Sequence, residues 1–165
     1  ALAGAGGAEL DWYLTRSQIQ CQLGRYAEAA AGLQRGFELT GSAVLEVESI
    51  DAMIDAAQYE AALIKVEAAL AETRWQGSWL VRRARIRLGK GEVAAGQQDL
   101  AGAIVEMNRR LNPAHPESGL LSERGFAYAL LGDVGLAKRD LASAKRSGAE
   151  PVSLRRLELT LASQR

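Results

Sequence analysis

The sequence is poor in the residues that usually carry chemistry. Among its 165 residues Cys21 is the only cysteine and His115 the only histidine. One cysteine excludes an intramolecular disulfide and a cysteine-based zinc site. A Cys21–His115 dyad is conceivable in principle, but Cys21 reads more simply as a small half-buried core residue and His115 as an exposed loop residue. Proline occurs three times, at Pro113, Pro116 and Pro151, so nothing before residue 113 carries a proline break. Aromatic residues make up 5%, which leaves Ala, Leu, Val and Ile to build the core. No apolar run approaches the ~20 residues that span a bilayer. Net charge is also lacking: Lys plus Arg is 20 and Asp plus Glu is 20. That balance argues against a general nucleic-acid binder, which carries a basic excess.

What is present suits a folded helical chain. Hydrophobic residues are 48% and charged residues 24%, enough for a sizeable core. Heavy Ala and Arg usage is compatible with a GC-rich bacterial genome, and the compartment, cytoplasm or periplasm, stays open. The first residues, Ala1 to Ala8, are small and are expected to form a flexible segment over 1–9.

Four stretches repeat: Leu23-Gly24-Arg25-Tyr26-Ala27-Glu28-Ala29, Ala56-Ala57-Gln58-Tyr59-Glu60-Ala61-Ala62, Lys90-Gly91-Glu92-Val93-Ala94-Ala95-Gly96 and Leu131-Gly132-Asp133-Val134-Gly135-Leu136-Ala137. Their anchors, Tyr26, Tyr59, Val93 and Val134, are separated by 33, 34 and 41 residues. A period of about 34 is that of a helix–turn–helix repeat. From each anchor, offsets 3, 7 and 10 give Ala29, Leu33 and Gly36; Ala62, Val66 and Ala69; Gly96, Leu100 and Ala103; Ala137, Leu141 and Ala144. These offsets mark one helix face, with two small-residue columns that let a neighbouring helix approach closely.

A second helical stretch precedes each anchor, at about 10–23, 43–56, 78–88 and 118–131. Gly24, Gly91 and Gly132 fit left-handed helix stops. Gly41-Ser42, Gly77-Ser78 and Ser118-Gly119 are turn and N-cap chemistry between units. The last spacing exceeds 34 by 7, about two turns at 3.6 residues each. The second helix of unit three is therefore expected to run to about Leu111, with Ile104, Met107 and Leu111 on its face, until Asn112-Pro113 stops it. Glu150-Pro151 opens a final helix with Leu154, Leu157 and Leu161 on one side. That helix is expected either to cover a last apolar face, as repeat arrays require, or to be the first helix of a further repeat.

The pattern resembles the tetratricopeptide repeat family, whose signature is Trp-x2-Leu-Gly-x2-Tyr, then Ala-x3-Phe, then Pro. The fourth unit matches best: Leu121-x2-Arg124-Gly125-x2-Tyr128, then Ala137-x3-Leu141. The first gives Tyr13-x2-Arg16-Ser17-x2-Gln20, then Ala29-x3-Leu33, and the middle units keep only the later half. The closing proline is missing throughout, which makes this a divergent member. The resemblance implies an all-α, right-handed α-solenoid of about four repeats plus a C-terminal helix. The repeat domain would cover 10–149, with units about 10–42, 43–76, 77–117 and 118–149, and a capping helix over 150–165.

In that family the first helix of each unit lines a concave groove. By resemblance the groove residues are Leu14, Gln18 and Cys21, then Val47, Glu48, Asp51 and Asp55, then Arg82 and Arg85, then Ser122, Glu123 and Phe126. An acidic stripe would lie beside a basic one, the two either pairing with each other or holding a segment with charges of both signs. A terminal-carboxylate clamp, known in some members, needs Lys and Asn where Leu14 and Gln18 stand. Arg82, Arg83, Arg85 and Arg87 fall on more than one helix face, so they make no single phosphate-binding surface. Trp12 is a candidate end contact, and Trp75 and Trp79 flank the second junction as packing residues or binding hot spots. The carboxylates Glu46, Glu48, Asp51 and Asp55 show only the spacing a helix gives by chance, with no glycine-rich phosphate loop and no metal-ligand pattern. The expectation is a non-catalytic scaffold for a protein or peptide, without metal or cofactor and without nucleic acid as a partner. The alternative is a structural or oligomerising module of a larger bacterial protein or envelope complex, self-associating through its ends.

Overall fold

The computed structural model describes residues 3–164, with side-chain surroundings from residue 9 onward. The described residues form nine helices and no strands: α1 Ala3–Gln22, α2 Tyr26–Thr40, α3 Ala43–Asp55, α4 Tyr59–Glu72, α5 Gly77–Gly89, α6 Val93–Arg110, α7 Ser118–Leu131, α8 Val134–Arg146 and α9 Pro151–Ser163. The four repeat anchors are the first residues of α2, α4, α6 and α8. α1 reaches back to Ala3, into the stretch expected to be flexible, where alanine's helix propensity runs against three glycines.

The same turn precedes each anchor. Gly24, Ala57, Gly91 and Gly132 all have positive φ, at 73°, 57°, 82° and 86°. In each case the next amide reaches back five residues: Arg25 N–H to Gln20 O, Gln58 to Met53, Glu92 to Arg87 and Asp133 to Tyr128, at 2.8–2.9 Å. This is the left-handed helix stop that closes orphan carbonyls. Glycine adopts it without a Cβ clash, and Ala57 alone does so with one.

The offset columns are mostly buried, as the periodicity predicts, with Ala69 and Leu141 half-buried. Ala29, Ala62 and Ala137 are fully buried, as are Leu100, Ala103 and Ala144, while Leu33 is 2% exposed. The anchors themselves sit at the margin, with Val93 half exposed. Glycine is required where helices touch most closely. A Cβ on Gly36 would stand 2.8 Å from the Tyr13 ring, and one on Gly125 would stand 2.9 Å from Leu157.

The chain divides into two compact units, Ala1–Ala68 and Ala69–Arg165, with the boundary inside α4. In the first, α1, α2 and α3 pack around Ala29, Ala30, Leu33, Leu45 and Ala52. In the second, α5 to α8 pack each on the next, and α9 lies on α7 and α8. Its core holds Val81, Leu100, Ile104, Met107 and Leu120. α6 has 18 residues against 15, 14 and 13 in α2, α4 and α8, about one extra turn rather than the two expected. The rest of the 41-residue spacing lies in the connection 111–117, and Ile104 and Met107 are buried. Leu154, Leu157 and Leu161 of α9 are buried as one stripe. No described helix is long and apolar enough to cross a membrane.

Candidate functional site

The α5 helix carries arginine at 82, 83, 85 and 87, and the structure divides these between two faces. Arg83 and Arg87 turn toward α6. Arg83 grips Asp99 with both ends of its fork, Nε donating to Oδ2 at 2.9 Å and Nη2 to Oδ1 at 2.7 Å. Arg87 Nη1 lies 2.8 Å from the same carboxylate. Arg82 and Arg85 serve other neighbours. The Arg82 guanidinium stands 5.2 Å from the Trp79 ring centre, and its Nη1 donates to Ser78 O at 3.2 Å. Arg85 lies 5.8 Å from the ring of Phe126 on α7. The Ser78 hydroxyl donates to the Glu123 carboxylate, also on α7.

Five of the residues expected to matter therefore come together: Trp79, Arg82 and Arg85 from α5 with Glu123 and Phe126 from α7. All five are half-buried. Trp79 and Arg82 pair within α5, while the Arg85–Phe126 pair and the Ser78–Glu123 bond join α5 to α7. Such a face offers aromatic surface, guanidinium donors and one carboxylate, which is recognition chemistry.

The other expected residues stand elsewhere. Ser122 is 4% exposed and donates to Ser153 O at 2.7 Å, fastening the first turn of α9 to α7. Asp51 is 1% exposed within α3, beside half-buried Val47 and Glu48 and exposed Asp55. Leu14 and Cys21 pack against the core of the first unit, and Gln18 is exposed on α1. Trp12 is 54% exposed, edge-on to Tyr13, with the Arg16 guanidinium 5.2 Å from its ring. Trp75 lies in the α4–α5 connection, with the Arg74 and Arg110 guanidiniums over its ring. His115 is exposed in the loop before α7. Among the described residues no three metal-ligating side chains gather.

Periodicity missed a second clamp. Arg124 on α7 grips Asp140 on α8, Nε to Oδ2 at 2.7 Å and Nη2 to Oδ1 at 2.6 Å, and also donates to Asn108 Oδ1 at 2.7 Å. The Asp140 hydrogen bonds hold the Arg124 guanidinium above its usual pKa, against the opposing effect of burial. Both clamps join residues 16 apart, and they lie 41 residues from one another, the spacing of their anchors. That coincidence was the available signal.

No family model, curated protein or solved structure matches the chain.

Proposed function

We propose that this chain is a divergent tetratricopeptide-like α-solenoid and a non-catalytic scaffold, and that it binds a protein or peptide segment along the face of α5 and α7. The observation that carries the reading is the convergence of Trp79, Arg82, Arg85, Glu123 and Phe126 on that face. Aromatic residues and arginine are the side chains over-represented where binding energy concentrates. Their half-burial keeps them ordered before a partner arrives, which lowers the entropy lost on association. The repeated helix stop and the small-residue columns support the family reading.

The test is affinity capture with wild type and with Arg82→Glu/Arg85→Glu. The bound protein is identified by mass spectrometry and then titrated in purified form. The expected result is a discrete partner whose affinity falls at least about a hundredfold in the variant, the range of a hot-spot loss. Circular dichroism checks that the variant stays helical. Equal affinity for both proteins would sink the reading. Capture of further copies of this chain alone would favour the oligomerising module.

A further inference from the structure

A second surface lies at the corner between α4 and α5, wholly within the second unit. Trp75 is 49% exposed there. Two guanidiniums flank its ring, Arg74 and Arg110, each 4.9 Å from the ring centre. Arg109 is exposed in the same last turn of α6 as Arg110. An exposed tryptophan set among arginines is costly to leave in water and is the composition of a binding hot spot.

Hydrogen bonds fix the connection that presents Trp75 at Thr73, Trp75, Gln76 and Gly77. Trp75 N–H donates to Thr73 Oγ1 at 3.3 Å. Gln76 Nε2 donates to Leu70 O at 3.0 Å, closing a carbonyl of α4. Gly77 N–H donates to Glu106 Oε2, which ties the corner to α6. A Cβ at 77 would displace that carboxylate and stand 3.2 Å from Met107. The ring is therefore held in place, and ordering it adds little to the cost of binding.

Charge decides the kind of partner. Two carboxylates stand near the three arginines, Glu106 and exposed Glu72. Glu106 is already committed on both oxygens, to Gly77 N–H and, at 3.4 Å, to Arg110. The corner thus presents three guanidiniums, two of them on the Trp75 ring, against one exposed carboxylate, Glu72.

We infer that this corner is a docking site for an acidic protein segment bearing an aromatic side chain, distinct from the α5–α7 face. Carboxylates of the segment pair with Arg74 and Arg109, and its ring packs on the exposed edge of Trp75. The balanced charge of the chain favours such a segment over a nucleic acid, whose binding would draw on a broad basic field.

The probe is a short fluorescein-labelled peptide of Glu and Asp with one central Phe, followed by anisotropy. Wild type is expected to bind it, and Trp75→Ala to weaken binding about tenfold. Arg74→Gln/Arg109→Gln, at two exposed positions with no role in the core, is expected to weaken it similarly while the thermal midpoint stays unchanged. Arg82→Glu/Arg85→Glu is expected to bind as wild type does, which separates this site from the one proposed above. The inference is overturned if wild type does not bind, or if the Trp75 and Arg74/Arg109 variants bind as tightly. It is also overturned if the Arg82/Arg85 variant loses binding equally, or if oligo-dT binds this corner more tightly than the peptide.

Discussion

The two units use the same packing columns and the same helix stops but hold their helix pairs together differently. In the second unit each pair carries a buried clamp, Arg83 with Asp99 and Arg124 with Asp140. The corresponding positions in the first two repeats hold Arg16 with Gly32 and Ser49 with Lys65. Arg16 lies over Trp12, and the Ser49 hydroxyl donates within its own helix to Glu46 O at 2.7 Å. In the first unit the helices also meet in close apolar contact, as at Gly36 against Tyr13 and Leu45. The difference separates two jobs. Small columns and left-handed stops set the helix-pair geometry in all four repeats. The clamps are an addition, which locks two of them and turns Arg83 and Arg87 away from the face that carries Arg82 and Arg85.

The hardest blow to this comparison is Asp140→Ala. Arg124 would keep Asn108 but lose both bonds to its carboxylate, and breaking a buried pair on one side costs about 3 kcal/mol or more. Urea unfolding measures the loss. Amide exchange should place it in residues 69–164, with protection in 3–68 unchanged. Replacing both partners by apolar residues of similar volume should recover most of the stability, because no charge is then stranded. The sign of the Arg124 shift matters as well. Its pKa is raised in the fold, so its contribution is fully present below the ordinary arginine value and is lost only as pH rises through the higher one. On the arginine side the clamp is therefore constant through neutral pH. An unchanged stability in Asp140→Ala would mean that the clamps are incidental.

Ala57→Gly has a smaller effect of opposite sign. It acts on the one repeat stop, in the first unit, where a Cβ sits at positive φ. Relief of that strain is partly offset by the greater freedom of glycine in the unfolded chain, which leaves a gain of about 1 kcal/mol. The rise in thermal midpoint reads it. No gain would show that the hydrogen bonds of Ala57 and Gln58 already absorb the strain.

The helices were legible because their signals are local. The Ser118–Leu131 helix has the bounds its sequence predicts, and the 41-residue spacing announced a longer α6, although only about one of the two expected extra turns is helical. Gly24, Gly91 and Gly132 marked their stops, but Ala57 did not, since nothing in an alanine announces positive φ. The candidate site was legible only as a set of positions by analogy. Trp79, Arg82, Arg85, Glu123 and Phe126 converge, while Ser122 and Leu14 turn toward the protein itself. A helix face is some 100° wide, so periodicity cannot separate a lining residue from a packing neighbour one position away. The clamps escaped for another reason. Arg83 and Asp99 are polar, and an apolar period passes over them. Only the recurrence of the same pair at 124 and 140 exposes them.

The smallest test asks whether a clamp can be carried into the first unit. Gly32 holds the position of Asp99 and Asp140, and Arg16 already occupies that of Arg83 and Arg124. A Cβ on Gly32 would meet only Gln20 Oε1, at 3.8 Å, so an added side chain has room. Gly32→Asp should gain about 0.5 kcal/mol from a partly exposed ion pair, with a few tenths more from replacing glycine inside a helix. Glu28, one turn earlier, subtracts a little by repulsion. A double-mutant cycle with Arg16→Ala isolates the pairwise part from these other effects. A coupling near 0.5 kcal/mol would mean that the helix-pair geometry alone brings the two positions within reach, so that the units differ only in side chains. A coupling of zero would mean that Arg16 stays over Trp12, and that the clamps of the second unit depend on packing the first does not share.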